Sequence, residues 1–202
     1  MYMPPRKSSK DSATSTRDNI LSVATRLFNE LGYENTSIPM ICKEAGVSKT
    51  TLHYYFPKKQ DLFFDMNNYF QDQFNSNFHR VVEQETFTGQ IWEIFKIMCE
   101  GDYYYGVSIS RQYFAQRLRE HSERGFIQNI YHRKMLIAVI RSAQHAGQML
   151  NMSPPDRICE ALSYAMRGVI LTWAIEDDSF NLTDCGKEVV RTIIMPADGY
   201  DI

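Results

Sequence analysis

The stretch "ICKEAGVSKTTLHYYFPKKQDL", residues 41–62, decides the fold. It sets Gly46 between two short apolar patterns, and then supplies a run of hydroxyls and aromatic rings. In the second pattern Leu52 and Phe56 are expected to point inward. Pro57 ends this pattern, because a proline disfavours helical geometry in the residue before it. A helix, a four-residue turn that contains a glycine and a second short helix predict a helix-turn-helix.

Helical periodicity continues on both sides of this motif. Upstream, apolar residues recur three and four positions apart from Ile20 to Leu31, and Thr16 is expected to cap that helix. Ser37 is expected to cap the next one. Downstream, the pattern stays helical from Asp61 to the end of the chain. The sequence therefore predicts an all-α protein of about nine helices, with an N-terminal three-helix helix-turn-helix head on a C-terminal helical bundle body.

Charge divides the 202 residues in a similar way. Residues 1–60 carry nine Lys and Arg against five Asp and Glu, whereas residues 61–202 carry thirteen against nineteen. A basic head on an acidic body suggests that only the head meets a polyanion. We expect a flexible polar tail over 1–15, a helix-turn-helix DNA-binding domain over 16–60 and an effector-binding and dimerisation domain over 61–202.

Several classes of protein are disfavoured. The four cysteines are far apart in sequence, which favours buried thiols in a reducing cytosol over disulfides or a metal site. No nucleophile, phosphate-loop or HExxH motif is visible, so we expect no enzyme, no catalytic residue, no metal and no cofactor. The chain has no run of about eighteen apolar residues and no secretory signal, so we expect a cytoplasmic protein that does not bind membranes.

The outer face of the second short helix carries the chemistry that duplex DNA requires. Threonine offers a hydroxyl and a methyl group to base edges, a tyrosine phenol can reach phosphate or sugar, and lysines and helix N-termini attract phosphate. Flanking hydroxyls at the start of the preceding helix can act similarly. The predicted DNA-binding residues are Thr36, Ser37, Lys49, Thr50, Thr51, His53, Tyr54, Tyr55 and Lys59.

The run "GYENTSIPMICKEAGVSKTTLHYYFPKKQDL", residues 32–62, resembles the DNA-binding domain of the tetracycline-repressor (TetR-type) transcriptional regulators. The resemblance implies a sequence-specific regulator, most often a ligand-responsive repressor, although activation stays open. Three features depart from the family pattern. His53 stands where tyrosine is usual, Tyr55 stands where histidine is frequent, and Pro39 and Met40 replace charged or small residues. These departures leave the operator sequence unpredictable.

One helix-turn-helix reads only a few base pairs, so we expect a homodimer on a palindromic double-stranded operator. The two recognition helices must then lie about 34–36 Å apart. Apolar and small residues in the last two helices are the candidate interface, although the same stripes could instead face the subunit's own core. The interface candidates are Ile158, Ala161, Ala165, Gly168, Val169, Val189, Val190, Ile193 and Ile194.

The middle of the chain is expected to bind a small apolar or amphipathic effector. Aromatic side chains and methionines form adaptable, mostly apolar walls, although most of them serve as ordinary core. In the run "DYYYG", residues 102–106, the three tyrosines cannot all face one way on a helix. The candidate effector-binding residues are Trp92, Phe95, Met98, Tyr103, Tyr105, Tyr113, Phe114, Met149 and Trp173.

A different class of function stays open at this stage. Helical hairpins with a glycine turn occur in many bundles, so the chain could be a helical small-molecule-binding or protein-adaptor module that does not bind DNA. The salt dependence of duplex binding distinguishes a DNA-binding protein from such a module. Each phosphate contact adds close to one unit to the slope of log affinity against log salt concentration.

Overall fold

The structure is a computed structural model that describes residues 9–119 and 130–202. Within them, regular secondary structure is helical, apart from one antiparallel bridge between Met149 and Pro196. The all-α prediction is thus confirmed. The chain forms two compact units, of which the first ends at Tyr69 and the second begins at Phe70. The helices of the described residues are α1 (Ser9–Leu31), α2 (Ile38–Ala45), α3 (Lys49–Tyr55), α4 (Lys59–Val82), α5 (Phe87–Tyr105), α6 (Val107–Arg119), α7 (Ile130–His145), α8 (Pro155–Ile175) and α9 (Leu182–Ile194).

The N-terminal helix begins earlier than expected. Because α1 starts at Ser9, Thr16 lies inside the helix and is not its cap. A flexible tail was expected over residues 1–15, but residues 9–15 are helical in the structure. Residues 1–8 lie outside the described part. No glycine or proline separates Ser9 from Thr16, so the chain contains nothing that would end the helix there.

Local signals define the helix-turn-helix as predicted. The Ser37 hydroxyl caps α2 by accepting a hydrogen bond from the Met40 amide at 3.4 Å. Gly46 ends α2 in the left-handed conformation, with φ 65° and ψ 32°, where a side chain would be strained. The Ser48 hydroxyl caps α3 by accepting from the Thr51 amide at 3.0 Å. These three residues fix where both helices begin and end.

Apolar packing and two polar contacts hold α1, α2 and α3 together. The Asn19 side chain donates to the Ala45 carbonyl at 2.9 Å, and the Arg26 guanidinium donates to the Glu44 carboxylate at 2.9 Å. Both contacts join α1 to α2. The largest side chains buried in this unit are Ile20, Phe28, Ile41, Leu52 and Phe56.

Thr36 is part of this interior rather than of the surface. Its side chain is 1% exposed, and its hydroxyl donates to the carbonyls of Leu27 at 3.0 Å and Gly32 at 2.9 Å. The expectation that this hydroxyl contacts a phosphate is therefore wrong. The hydroxyl thus ties the segment before α2 to the end of α1.

Thr36→Val is expected to lower the free energy of unfolding by about 1–3 kcal/mol, because the hydrogen bonding of a buried hydroxyl to the Leu27 and Gly32 carbonyls is lost while side-chain volume changes little. Urea denaturation of the full chain measures this loss. The matched control is Thr50→Val, which changes an exposed residue of the same type and should alter stability by less than about 0.5 kcal/mol. Equal losses for both variants would contradict the structural role of Thr36.

The second unit is built around α8. This helix packs against α6, α7 and α9, and α5 packs against α7 and α9. Residue type and position predict Ser153 as the cap of α8 and Thr183 as the cap of α9, and both predictions are wrong. Asn181 caps α9 by accepting from the Asp184 amide at 3.0 Å, and α8 follows Pro154 without a side-chain cap.

By length and composition alone, α8 is apolar enough to cross a membrane, and it is the one such helix among the described residues. Core helices of soluble proteins pass the same test, and one side of α8 is packed in this core. The other side of α8 is exposed and carries few charges, with Asp156 and Arg157 near its start.

Candidate functional site

The outer face of α3 is free to meet a ligand. Lys49, Thr50 and Tyr54 are exposed, and Tyr54 is 80% accessible. On the opposite face, Leu52 is completely buried, and Phe56 is 1% exposed directly after the helix. The seven-residue helix is therefore held by its apolar side and presents a lysine, a hydroxyl and a phenol to solvent.

Three other predicted contacts on α3 are half-buried and partly engaged within the chain. The Thr51 hydroxyl lies 2.8 Å from that of Ser48. The His53 ring nitrogen Nδ1 lies 3.0 Å from the Pro57 carbonyl, so Nδ1 carries the hydrogen and Nε2 is the nitrogen left for other contacts. The Tyr55 ring packs edge-on against the Tyr54 ring, with 5.0 Å between centroids.

Helix N-termini differ in their capacity to attract an anion. Neither α2 nor α3 has an acidic residue in its first turn, and Ser37 at the start of α2 is exposed. In contrast, α4 begins with Asp61 in its first turn, and this carboxylate accepts from the Lys58 amide at 2.7 Å. The positive ends of α2 and α3 are therefore the better phosphate sites.

Lys59 occupies a different place from that expected for a phosphate contact. Its ammonium donates to the Tyr33 carbonyl and lies 4.0 Å from the centroid of the Tyr33 ring and 5.8 Å from that of Phe28. Burial lowers the pKa of Lys59, while the charge of Glu34 raises it. Because the ammonium binds the segment that follows α1, we assign Lys59 to positioning the start of α4.

Comparison with known proteins identifies this arrangement. Residues 20–66, which span α2, α3 and the start of α4, match the model of "Bacterial regulatory proteins, tetR family". Over these residues the chain therefore carries a TetR-type helix-turn-helix domain. The regulator AcrR of Shigella flexneri is 25% identical over 169 residues, which cover 82% of this chain and 71% of AcrR.

The head is the part of this TetR-type regulator that relatives share most strongly. LmrA of Bacillus subtilis is 50% identical over 42 residues, but these cover only 21% of this chain and 22% of LmrA. Among solved structures, one is described as the molecular basis for control of antibiotic production by bacterial hormones. It matches with a TM-score of 0.72 at 17% identity, and the match covers 95% of this chain and 100% of that chain. Bacillus subtilis FadR, solved with stearoyl-CoA, has a TM-score of 0.63 at 15% identity and covers 88% of this chain and 97% of FadR. At these identities the likeness concerns the fold.

The interface candidates of the TetR-type regulator divide between two faces. Ile158, Val169, Val190 and Ile194 are buried within the subunit, which leaves them unavailable to a partner. Val189 and Ile193 are partly buried against the same core. Three of the candidates on α8 are not buried: Ala161 and Gly168 are exposed, and Ala165 is half-buried.

Two large residues on the exposed side of α8 are absent from the sequence-based interface candidates. Tyr164 is 67% exposed and Ile175 is 68% exposed, and both lie at helical spacing from Ala161 and Gly168. The available signal was that α8 is apolar on more than one face, whereas the larger apolar candidates on it, Ile158 and Val169, prove to be core. Together Ala161, Tyr164, Gly168 and Ile175 form what we call the α8 surface stripe.

Most effector candidates are packed into the interior. Trp92, Phe95, Tyr105, Met149 and Trp173 are buried. Three others are half-buried, and of these Met98 and Phe114 pack against the core, while the Tyr113 ring lies edge-on to Phe114 with 5.6 Å between centroids. Whether any of them contacts an effector stays a prediction.

Tyr103 is 37% exposed, and its ring and hydroxyl join α5 to α8 and to the start of α9. Its ring packs edge-on against Trp173 of α8, with 5.4 Å between centroids. Its hydroxyl accepts from the Leu182 amide at 2.6 Å and donates to the Asn181 side chain at 3.3 Å, at the start of α9. The Trp173 indole donates to the Asp178 carboxylate at 2.6 Å. Tyr104 is the most exposed of the three adjacent tyrosines, at 56%.

Proposed function

We propose that this TetR-type regulator is a ligand-responsive repressor that binds a palindromic operator as a homodimer. The observation that carries the proposal is the outer face of α3, where a lysine, a threonine and a tyrosine are exposed above a buried apolar side. A regulator of this kind acts where the chromosome is, so we place it in the cytoplasm.

The size and chemistry of α3 fit the major groove of DNA. The groove is about 12 Å wide and admits a helix, and threonine and tyrosine supply hydrogen-bonding groups and a methyl group to base edges. Lys49, Thr50 and Tyr54 are the residues that we expect to reach bases or the adjoining backbone. Phosphates would bind at the N-termini of α2 and α3, beside Ser37 and the basic side chains of the head.

A pair of variants separates base reading from phosphate contact. Thr50→Val is expected to weaken discrimination at one or two operator positions by about 1 kcal/mol, since it removes a hydroxyl from the groove face. Lys58→Ala, which removes an exposed charge at the start of α4, is expected to weaken binding to all duplexes similarly and to reduce the log–log salt slope by about one unit. Fluorescence anisotropy with single-substitution operators measures both effects. If Thr50→Val acted equally on every duplex, our assignment of base reading would be wrong.

The α8 surface stripe supports the homodimer. Ala161 and Gly168 leave room for close approach of a second helix, while Tyr164 and Ile175 supply exposed apolar area at its edges. A two-fold axis at this stripe would pair the same patch on both subunits, which is the usual geometry of a symmetric dimer. The dimer would then set the spacing of the two recognition helices.

We further propose that a small apolar or amphipathic effector lowers operator affinity. FadR of Bacillus subtilis binds stearoyl-CoA in its solved structure, and the structure with the TM-score of 0.72 comes from work on bacterial hormones. In our proposal, the effector binds among α5, α6 and α8 and favours dimers in which the head spacing does not fit the operator. Such a ligand must have different affinities for the two states, because equal affinity would shift nothing.

A further inference from the structure

A carboxylate stands in the core-facing stripe of α5. Asp102 follows Phe95 by seven positions and Cys99 by three, and precedes Tyr105 by three, so all four lie on one side of the helix. The other three side chains are buried. Asp102 itself is half-buried, so part of the residue is accessible to solvent.

The other two carboxylates of α5 are neutralised, and Asp102 is not. The Arg80 guanidinium lies 2.6 Å from an oxygen of Glu93 and 2.6 Å from an oxygen of Glu100. Among the described residues, the polar side chain that contacts Asp102 is Ser110 of α6, whose hydroxyl donates to Oδ1 at 3.3 Å. No basic side chain pairs with Asp102 in that part of the chain.

The surroundings make an isolated negative charge costly at this position. Burial raises the pKa of the Asp102 carboxyl to about 7, although the hydrogen bond from Ser110 acts in the opposite direction. A buried carboxylate is normally paired with a cation or with several donors. A ligand that brought a positive charge would supply what the described residues do not.

We infer that Asp102 binds the positively charged group of the effector, so that the ligand is an amphipathic amine whose apolar part packs among the aromatic residues of α5, α6 and α8. This inference rests on the ligand response proposed above and narrows its chemical class. Tyr105 lies on the same face of α5 as Asp102, and aromatic rings near a carboxylate favour an organic cation. The ammonium would form a charge-assisted hydrogen bond with Asp102, which is stronger than a bond between neutral groups.

Three probes of one shape test this assignment: 4-phenylbutylamine, 4-phenylbutan-1-ol and 4-phenylbutyrate. Calorimetric titration of the full chain, without DNA, is expected to show that the amine binds at least about tenfold more tightly than the alcohol, and the alcohol more tightly than the acid. In Asp102→Asn, which keeps the shape of the side chain, the advantage of the amine over the alcohol should disappear. The affinity for the alcohol should change by less than about threefold.

Glu100→Gln is the matched control, because it neutralises a carboxylate on the same helix that already pairs with Arg80. It should keep the preference for the amine. Ser110→Ala, which leaves the carboxylate in place, should also keep it. A purely structural role for Asp102 would change stability in a melting experiment without changing the order of the three probes.

The inference is overturned if Asp102→Asn retains the amine preference, if the alcohol or the acid binds the unmodified chain as tightly as the amine, or if none of the probes binds at millimolar concentration. Operator binding without any probe is measured separately for the unmodified chain and for Asp102→Asn. If the unmodified chain binds the operator but does not prefer the amine, only this inference fails, whereas absence of operator binding by the unmodified chain fails the proposed function.

Discussion

Gly168→Glu is expected to convert the dimer into monomers and to reduce operator affinity by at least about a hundredfold. Gly168 is exposed on α8, and a Cβ atom built on it meets nothing within 4 Å. The subunit can therefore accommodate the new side chain, and replacing a glycine inside a helix favours the helix. Across a two-fold interface, however, the two glutamates would face each other and repel. A monomer would lose one half-site and retain little more than non-specific affinity.

Analytical ultracentrifugation and operator titration measure these two effects, and a melting curve checks that the subunit remains folded. Ala138→Glu is the control, since it adds the same charge at an exposed alanine of α7, away from the α8 surface stripe. It should leave both the oligomeric state and operator affinity unchanged. If Gly168→Glu stayed dimeric with full affinity, the interface would lie elsewhere on the subunit.

Arg80→Met is expected to have the largest effect on stability, lowering the free energy of unfolding by about 2–4 kcal/mol. Arg80 contacts two carboxylates, and one of them, Glu93, is only 5% exposed. Methionine preserves most of the side-chain volume, so the loss comes from leaving a buried charge without its partner. Arg80 itself is 26% exposed, which keeps the expected loss below that of a fully buried pair.

Chemical denaturation compares this variant with Lys96→Met. The Lys96 ammonium lies 3.9 Å from Glu93 and is 38% exposed, so it forms a weaker ion pair with the same carboxylate. Its replacement should change stability by less than about 1 kcal/mol. Equal losses in the two variants would mean that general charge balance matters, and not the close contact with Arg80.

Sequence patterns predicted the head well where the signals are local. Ser37, Gly46 and Ser48 act within three residues of their partners, so cap preferences and the glycine turn defined the helix-turn-helix. Thr36 was assigned wrongly as a DNA contact, and Lys59 is engaged within the head, because the partners of both side chains are set by tertiary packing. The ammonium of Lys59 binds a carbonyl 26 positions earlier in the chain. The neighbouring residues in the sequence do not reveal whether a threonine or a lysine of a basic head is buried or exposed.

In the second unit, periodicity predicted helices but could not assign their faces. Asn181 and Thr183 are both good caps, and the choice depends on the contact between Asn181 and Tyr103 from another helix. Asp102 precedes three tyrosines and was not among the effector candidates. Its spacing from Phe95 and Cys99 was a usable signal, whereas the lack of a basic partner among the described residues becomes visible only in three dimensions.

The central claim is that the exposed face of α3 reads duplex DNA as part of a two-fold dimer. Selection of bound duplexes from a random pool, at a stated salt concentration, tests it most directly. We predict enrichment of a palindrome whose half-site centres are separated by about 10–10.5 base pairs or a multiple of that distance. Failure to enrich any sequence, or enrichment of a single asymmetric half-site, would contradict the claim.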